Sequence, residues 1–168
     1  MSVLRISGII KESIVDGPGI RYVVFTQGCP HRCEGCHNPQ THDFSGGRDE
    51  EIDTILSQIK ENPLLSGVTF SGGEPFCQPL PLLEIAREVH NINKNVVSYS
   101  GYTFEELLEL SKTKPEILEL MENIDILIDG KFVLSEKSLM LKFRGSKNQR
   151  IIDMKQSLEI GKAVIKDL

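Results

Sequence analysis

Short apolar runs built from β-branched and aromatic residues alternate along this chain with stretches whose apolar residues fall at helical spacing. This alternation limits the fold more than any other feature. Residues 21–27 (RYVVFTQ), 67–71 (GVTFS), 95–100 (NVVSYS) and 124–129 (IDILID) read as strands, 150–152 as a short further strand, and 3–10 as an additional N-terminal one. Residues 49–62 follow a Gly46-Gly47 turn and set Ile52, Ile55, Leu56 and Ile59 on one helical stripe that Pro63 ends. Residues 79–90 carry Leu82, Leu83, Ile85, Ala86 and Val89 in the same manner. Thr103, with Glu106 after it, has the form of a capping box and opens a helix ending near Lys112; residues 115–123 and 154–165 complete the set. Such alternation builds a parallel sheet with helices outside. A closed eightfold barrel takes about 250 residues. The 168 residues here therefore predict an α/β fold, a partial (incomplete) TIM-like β/α barrel with mostly parallel strands, as one domain over 1–168.

Three of the four cysteines, Cys29, Cys33 and Cys36, form a C-x3-C-x2-C triplet directly after the run 21–27. The triplet thus sits at the C-terminal end of a strand, the edge where parallel α/β folds build their sites. Thiolates are soft ligands suited to iron–sulfur clusters or zinc. Three on one loop can hold three irons of a cubane and leave the fourth iron open to a small molecule. A structural zinc asks for four ligands, commonly two C-x2-C pairs. No second such pair exists, so His31, His37, His42 or Cys77 would have to serve, and His37 is awkwardly adjacent to Cys36. The spacing favours iron–sulfur, with a non-catalytic zinc-binding interaction module as the alternative.

The net charge of −5 leaves no electrostatic footprint for nucleic acid. No run of 18 apolar residues exists to span a membrane, and residues 1–10 lack the basic start and apolar stretch of a signal peptide. A cytoplasmic, reducing location is the expectation, which argues against a disulfide framework. Charge is uneven: residues 105–129 are dominated by acids, whereas residues 131–150 are mostly basic, with Lys131, Lys137, Lys142, Arg144, Lys147 and Arg150 opposed by Glu136. That basic stretch reads either as a solvated loop or as one that meets an anionic ligand or partner.

Taken with Ser71-Gly72-Gly73-Glu74 after the next strand, the triplet resembles the radical S-adenosylmethionine superfamily. Val15-Asp16-Gly17-Pro18-Gly19-Ile20-Arg21, Gln27-Gly28-Cys29-Pro30 and Cys36-His37-Asn38-Pro39 resemble the activating enzymes of glycyl-radical enzymes. Asp129-Gly130-Lys131-Phe132 and residues 144–153 (RGSKNQRIID) are similar, within that group, to activating proteins of anaerobic ribonucleoside-triphosphate reductase. The resemblance runs from about residue 4 to 153. One departure is Gly35, at a position that is often aromatic in the superfamily, where an aromatic would pack near the adenine.

The resemblance implies one 4Fe–4S cluster on Cys29, Cys33 and Cys36, with S-adenosylmethionine on its open iron. Gly35, Cys36, His37, Gly72, Gly73, Glu74, Ser100, Asp129 and Lys131 are the implied cofactor contacts. The two glycines let backbone approach closely. Glu74 is implied to hold the amino group, against a plain reading as a helix-start acid. Lys131 is implied to pair with the carboxylate, against a surface lysine. Ser100 is placed by the resemblance near the ribose or a cation, and His37 near the adenine. Asp16 is implied to meet a partner's glycine loop, or is simply a turn former. Arg144, Asn148 and Arg150 either face the site and partner or close the fold. Cys77 reads as a small buried apolar residue, and His31, His42 and His90 fall in no constellation. The implied reaction is reductive cleavage of S-adenosylmethionine, fed by a flavodoxin-like donor, to a radical that takes hydrogen from a glycine of anaerobic ribonucleoside-triphosphate reductase. Pyruvate formate-lyase or another glycyl-radical enzyme is the alternative partner.

Overall fold

The computed structural model describes residues 2–168. Seven strands form one sheet: β1 (Val3–Ser13), β2 (Arg21–Thr26), β3 (Arg48–Glu51), β4 (Gly67–Gly72), β5 (Asn95–Ser100), β6 (Ile126–Asp129) and β7 (Arg150–Asp153), in the order β3-β1-β2-β4-β5-β6-β7. The four central strands, β2, β4, β5 and β6, run parallel. β1 and β3 on one flank, and β7 on the other, are antiparallel additions. Four α-helices lie between the strands, α1 (Ile52–Glu61), α2 (Pro79–Asn91), α3 (Phe104–Ser111) and α4 (Pro115–Glu122), and α5 (Met154–Ile160) follows β7.

The period of two along each strand sorts side chains between the two sheet faces. Tyr22, Val24, Val68, Phe70, Val96, Leu127 and Ile152 join the helices in one large core. Their neighbours Val97, Ile126, Ile128 and Ile151 form a small separate cluster, with Tyr99 and Phe143 packed against it. Helices therefore cover one face, while the other is left for loops and a cavity.

Several expectations are corrected at the boundaries. β3 was not legible, because Arg48-Asp49-Glu50-Glu51 carries no apolar alternation; its charges suit a sheet edge, where they discourage further pairing. It takes over the first residues expected in the helix from 49, so α1 begins at Ile52. The closing helix stops at Ile160 because Gly161 takes a left-handed conformation (φ 77°) and caps it. The Thr103–Glu106 capping box is present in both directions.

Candidate metal and cofactor centre

The loops after β2, β4, β5 and β6 surround a cavity of about 730 Å³. Cys29, Cys33 and Cys36 all line it, together with His37, Gly72, Gly73, Ser100 and Lys131. The cysteine loop is anchored where it leaves and rejoins the sheet. Gly28 N–H donates to Thr41 O (2.7 Å), Cys29 N–H to His42 O (3.1 Å), and the Gln27 amide to the carbonyls of Gln40 (3.0 Å) and Asp43 (2.6 Å). Between these anchors Arg32 (φ 48°) and Gly35 (φ 75°) turn the chain back. Cys36 N–H then meets Cys33 O at 3.2 Å.

The sulfurs differ in setting. Cys29 is buried, whereas Cys33 and Cys36 are half-buried. Burial pushes the Cys29 thiol up, opposed by the backbone N–H groups of His31 and Arg32. Cys36 Sγ accepts the Asn38 N–H at 3.4 Å. Backbone donors aimed at sulfur suit thiolates that bind iron, since hydrogen bonds to the sulfurs help set a cluster's potential. Among the described residues no three His, Cys, Asp or Glu side chains converge on a single-ion position. The donor set is thus three thiols facing one roomy cavity, which fits a cluster with one corner open.

Glu74 is turned differently from expectation. It is fully buried and does not line the cavity. One carboxylate oxygen accepts from His31 Nε2 (2.7 Å), Ser100 Oγ (3.0 Å) and Gly101 N–H (2.8 Å); the other accepts from Phe76 N–H (3.0 Å) and Ser100 Oγ (2.9 Å). A buried carboxylate needs such partners to offset its desolvation. The result ties the loops after β2, β4 and β5 to one point. His31, unassigned from sequence, is part of that tie. The neighbouring glycines serve the same junction: Gly73 N–H donates to Thr26 O and Glu74 N–H to Gly28 O, each at 2.8 Å. A Cβ on Gly73 would stand 2.4 Å from Gly28 O, so the close approach of backbone expected at this pair is first an approach to the root of the cysteine loop.

Asp129 is likewise occupied within the protein. Its carboxylate accepts Phe104 N–H (2.7 Å) at the start of α3 and pairs with Arg150. Arg150 also holds the Glu105 carboxyl below the usual carboxylate range. Asn148 donates to Lys131 O (2.8 Å), and Arg144 to Gln149 O (2.8 Å). Arg144, Asn148 and Arg150 are thus each bonded within the fold, while Arg144 borders the cavity and Asn148 and Arg150 border a smaller one beside it. Lys131 is exposed and reaches the cavity, with no ion pair among the described residues. Asp16 borders the cavity as well and accepts the Ser13 hydroxyl at 2.6 Å.

Gly35 does not face the cavity, but its bare Cα has a clear use. A Cβ there would lie 2.8 Å from Leu134 Cδ1 and 3.2 Å from Phe132 Cε2. The Phe132 ring packs against this glycine and against His37 (ring centroids 5.3 Å apart), and it borders the cavity. The aromatic missing beside Cys36 is thus replaced in space by one from the loop after β6. Cys77, expected to be buried, is exposed; partial desolvation pushes its thiol up to about 11.

Residues 15–152 match the family model described as a 4Fe-4S single cluster domain. The chain is 33% identical to the anaerobic ribonucleoside-triphosphate reductase-activating protein of Vibrio cholerae, over 82% of this chain and 90% of that one. It therefore belongs to the family of these activating proteins. The member from Enterobacteria phage T4 is 34% identical over 82% of this chain and 86% of its own. A pyruvate formate-lyase-activating enzyme from Clostridium pasteurianum is 35% identical over 72% of this chain, but only 53% of that longer protein is covered. As a member of the activating-protein family, the chain is a radical S-adenosylmethionine oxidoreductase whose cofactors are a 4Fe–4S cluster and S-adenosylmethionine.

Proposed function

We propose that this protein activates anaerobic ribonucleoside-triphosphate reductase by generating a glycyl radical on it. When bound, the reduced cluster and S-adenosylmethionine supply reductive cleavage of a sulfur–carbon bond and a 5′-deoxyadenosyl radical that takes hydrogen from a reductase glycine. The observation that carries this reading is that the three cysteines, the Gly72-Gly73 turn and Lys131 border one cavity in a chain that spans 90% of a curated activating protein.

Within it, Cys29, Cys33 and Cys36 hold the cluster. The backbone of Gly72 and Gly73 receives the cofactor's amino-acid end, and the Lys131 ammonium pairs with its carboxylate. Phe132 and His37 form the wall on the adenine side. Glu74 and Asp129 act from behind, by fixing the loops that carry these contacts, and Ser100 both holds Glu74 and borders the cavity. Asp16 stands where the glycine segment enters. The protein's share of the chemistry is to leave one iron open, to orient the cofactor and to limit the access of water and oxygen. Helices on one face alone suit an incomplete barrel, here a single radical-SAM domain over 1–168, whose open side admits a macromolecule. A flavodoxin-like donor supplies the electron. Among the described residues no helix is long and apolar enough to cross a membrane, and the reducing cytoplasm is the setting such a cluster needs.

Anaerobic incubation of the reconstituted protein with S-adenosylmethionine, reductant and either the reductase or pyruvate formate-lyase tests the partner. A glycyl doublet in the electron paramagnetic resonance spectrum of the reductase is the expected result. A doublet on pyruvate formate-lyase alone would refute the assignment. Iron and sulfide analysis separates the zinc-module alternative, which predicts zinc with neither.

A further inference from the structure

Among the described residues, the four most exposed large apolar side chains are Met140 (92%), Leu139 (88%), Ile14 (74%) and Val15 (68%). They come from two segments far apart in sequence, and both segments border the cysteine-lined cavity. Neither segment is loosely held. Around Leu139–Met140, Lys137 and Ser146 form an antiparallel bridge, Ser138 N–H donates to Gly145 O (3.2 Å) and Lys147 N–H to Glu136 O (3.0 Å). The Tyr99 hydroxyl ties Phe143 O to the sheet at 2.7 Å. In the other segment, Val15 N–H donates to Ser13 Oγ (3.3 Å), Thr69 Oγ1 to Asp16 O (2.8 Å), and the buried Arg21 guanidinium to Pro18 O (3.0 Å). Apolar side chains held out to water on braced segments, grouped around one opening, mark an interaction surface.

We propose that these two apolar lips are the docking surface for the glycine-bearing segment of the protein substrate, an inference that rests on the function proposed above. A hydrogen on a backbone carbon can be reached only if the segment threads between the lips into the cavity. Glycine, without a side chain, passes; the residues on either side of it do not, and their side chains meet Ile14 and Val15 on one side and Leu139 and Met140 on the other. Lys137 and Lys142 flank the second lip in a chain of net charge −5, so the segment's flank is acidic, which speeds and orients its approach. The arginines and asparagine of the RGSKNQR stretch are engaged within the fold and are not the main docking contacts.

The test uses the full chain with its cluster reconstituted. In Leu139→Ser/Met140→Ser and in Ile14→Ser/Val15→Ser, dithionite-driven 5′-deoxyadenosine formation without reductase stays within about twofold of wild type. The KM for reductase in glycyl-radical formation rises about tenfold, the loss expected for a buried apolar anchor, while kcat at saturating reductase is kept. Leu64→Ser, an exposed apolar residue away from the cavity, leaves KM unchanged. Lys137→Glu/Lys142→Glu slows activation most at low salt. An unchanged KM in both lip variants would overturn the docking surface. So would a wild-type dimer that the lip variants dissolve without a change in KM, because the lips would then pair copies of this chain. Absence of any glycyl radical with wild-type protein would instead overturn the proposed function, and the docking surface with it.

Discussion

The two faces of the sheet hold the same strands by different means. On the helix-covered face, Phe70, Leu82, Ile85, Val89, Phe104 and Leu127 pack in one continuous apolar core. On the other face four residues cluster, and order comes from polar ties: the Glu74 junction, the Asp129–Arg150 pair and the Tyr99–Phe143 hydrogen bond. Burial of apolar area is non-directional and tolerant, so it suits the face that must only be stable. Hydrogen bonds fix direction, which suits the face where loops must meet a cofactor.

The contrast can be broken in order of size. Cys33→Ala is expected to reduce bound iron and 5′-deoxyadenosine formation to background while the melting temperature of the cluster-free protein stays within about 2 °C of wild type, since a half-buried side chain supports little of the core. Iron assay and calorimetry check this. Phe70→Ala on the helix-covered face reverses the pattern, with a loss of about 3–5 kcal/mol and a Tm fall of about 10 °C. Arg150→Ala leaves the buried Asp129 carboxylate without its cation and costs about 2 kcal/mol, less than a fully buried pair because Arg150 is partly solvated; denaturant titration measures it.

The smallest effects come from two tyrosines, one on each face. Tyr22 donates to Gln58 Oε1 (2.6 Å) beside the helix core, and Tyr99 to Phe143 O (2.7 Å) on the open side. Each Tyr→Phe change costs about 1 kcal/mol, yet only Tyr99→Phe loosens a lip and lowers glycyl-radical formation. Burial pushes both phenols above the usual tyrosine range. The folded state therefore disfavours their ionised forms, and stability falls as pH rises past about 10, the unfolded value. Of the three tyrosines, at most the less buried Tyr102 should contribute tyrosinate absorbance at 295 nm before unfolding; ionisation of Tyr22 and Tyr99 near pH 10 in folded protein would contradict their burial.

Much of this was legible in the sequence because it rests on local rules. Strand and helix placement followed periodicity, and the Thr103–Glu106 cap followed spacing. The cysteine triplet limited its chemistry to iron–sulfur or zinc by ligand type, and its spacing favoured iron–sulfur. What escaped depends on contacts between distant segments. No local pattern marks His31 as the partner of Glu74, 43 positions away, or Phe132 as the ring covering Gly35. The resemblance implied Glu74, Ser100 and Asp129 as cofactor contacts; packing between distant segments ties Glu74 to His31 and Ser100, and Asp129 to Arg150, while Ser100 also borders the cavity. β3 was missed because charge, not apolar alternation, defines an edge strand.

The central claim is that a radical made in this cavity takes its hydrogen directly from a reductase glycine. Reductase labelled with α-deuterated glycine, incubated anaerobically with the reconstituted protein, S-adenosylmethionine and reductant, tests it by mass spectrometry of the 5′-deoxyadenosine formed. The account predicts deuterium in that product, rising together with the glycyl signal on the reductase. Unlabelled 5′-deoxyadenosine formed while the reductase gains its radical, or no radical at all, would contradict it.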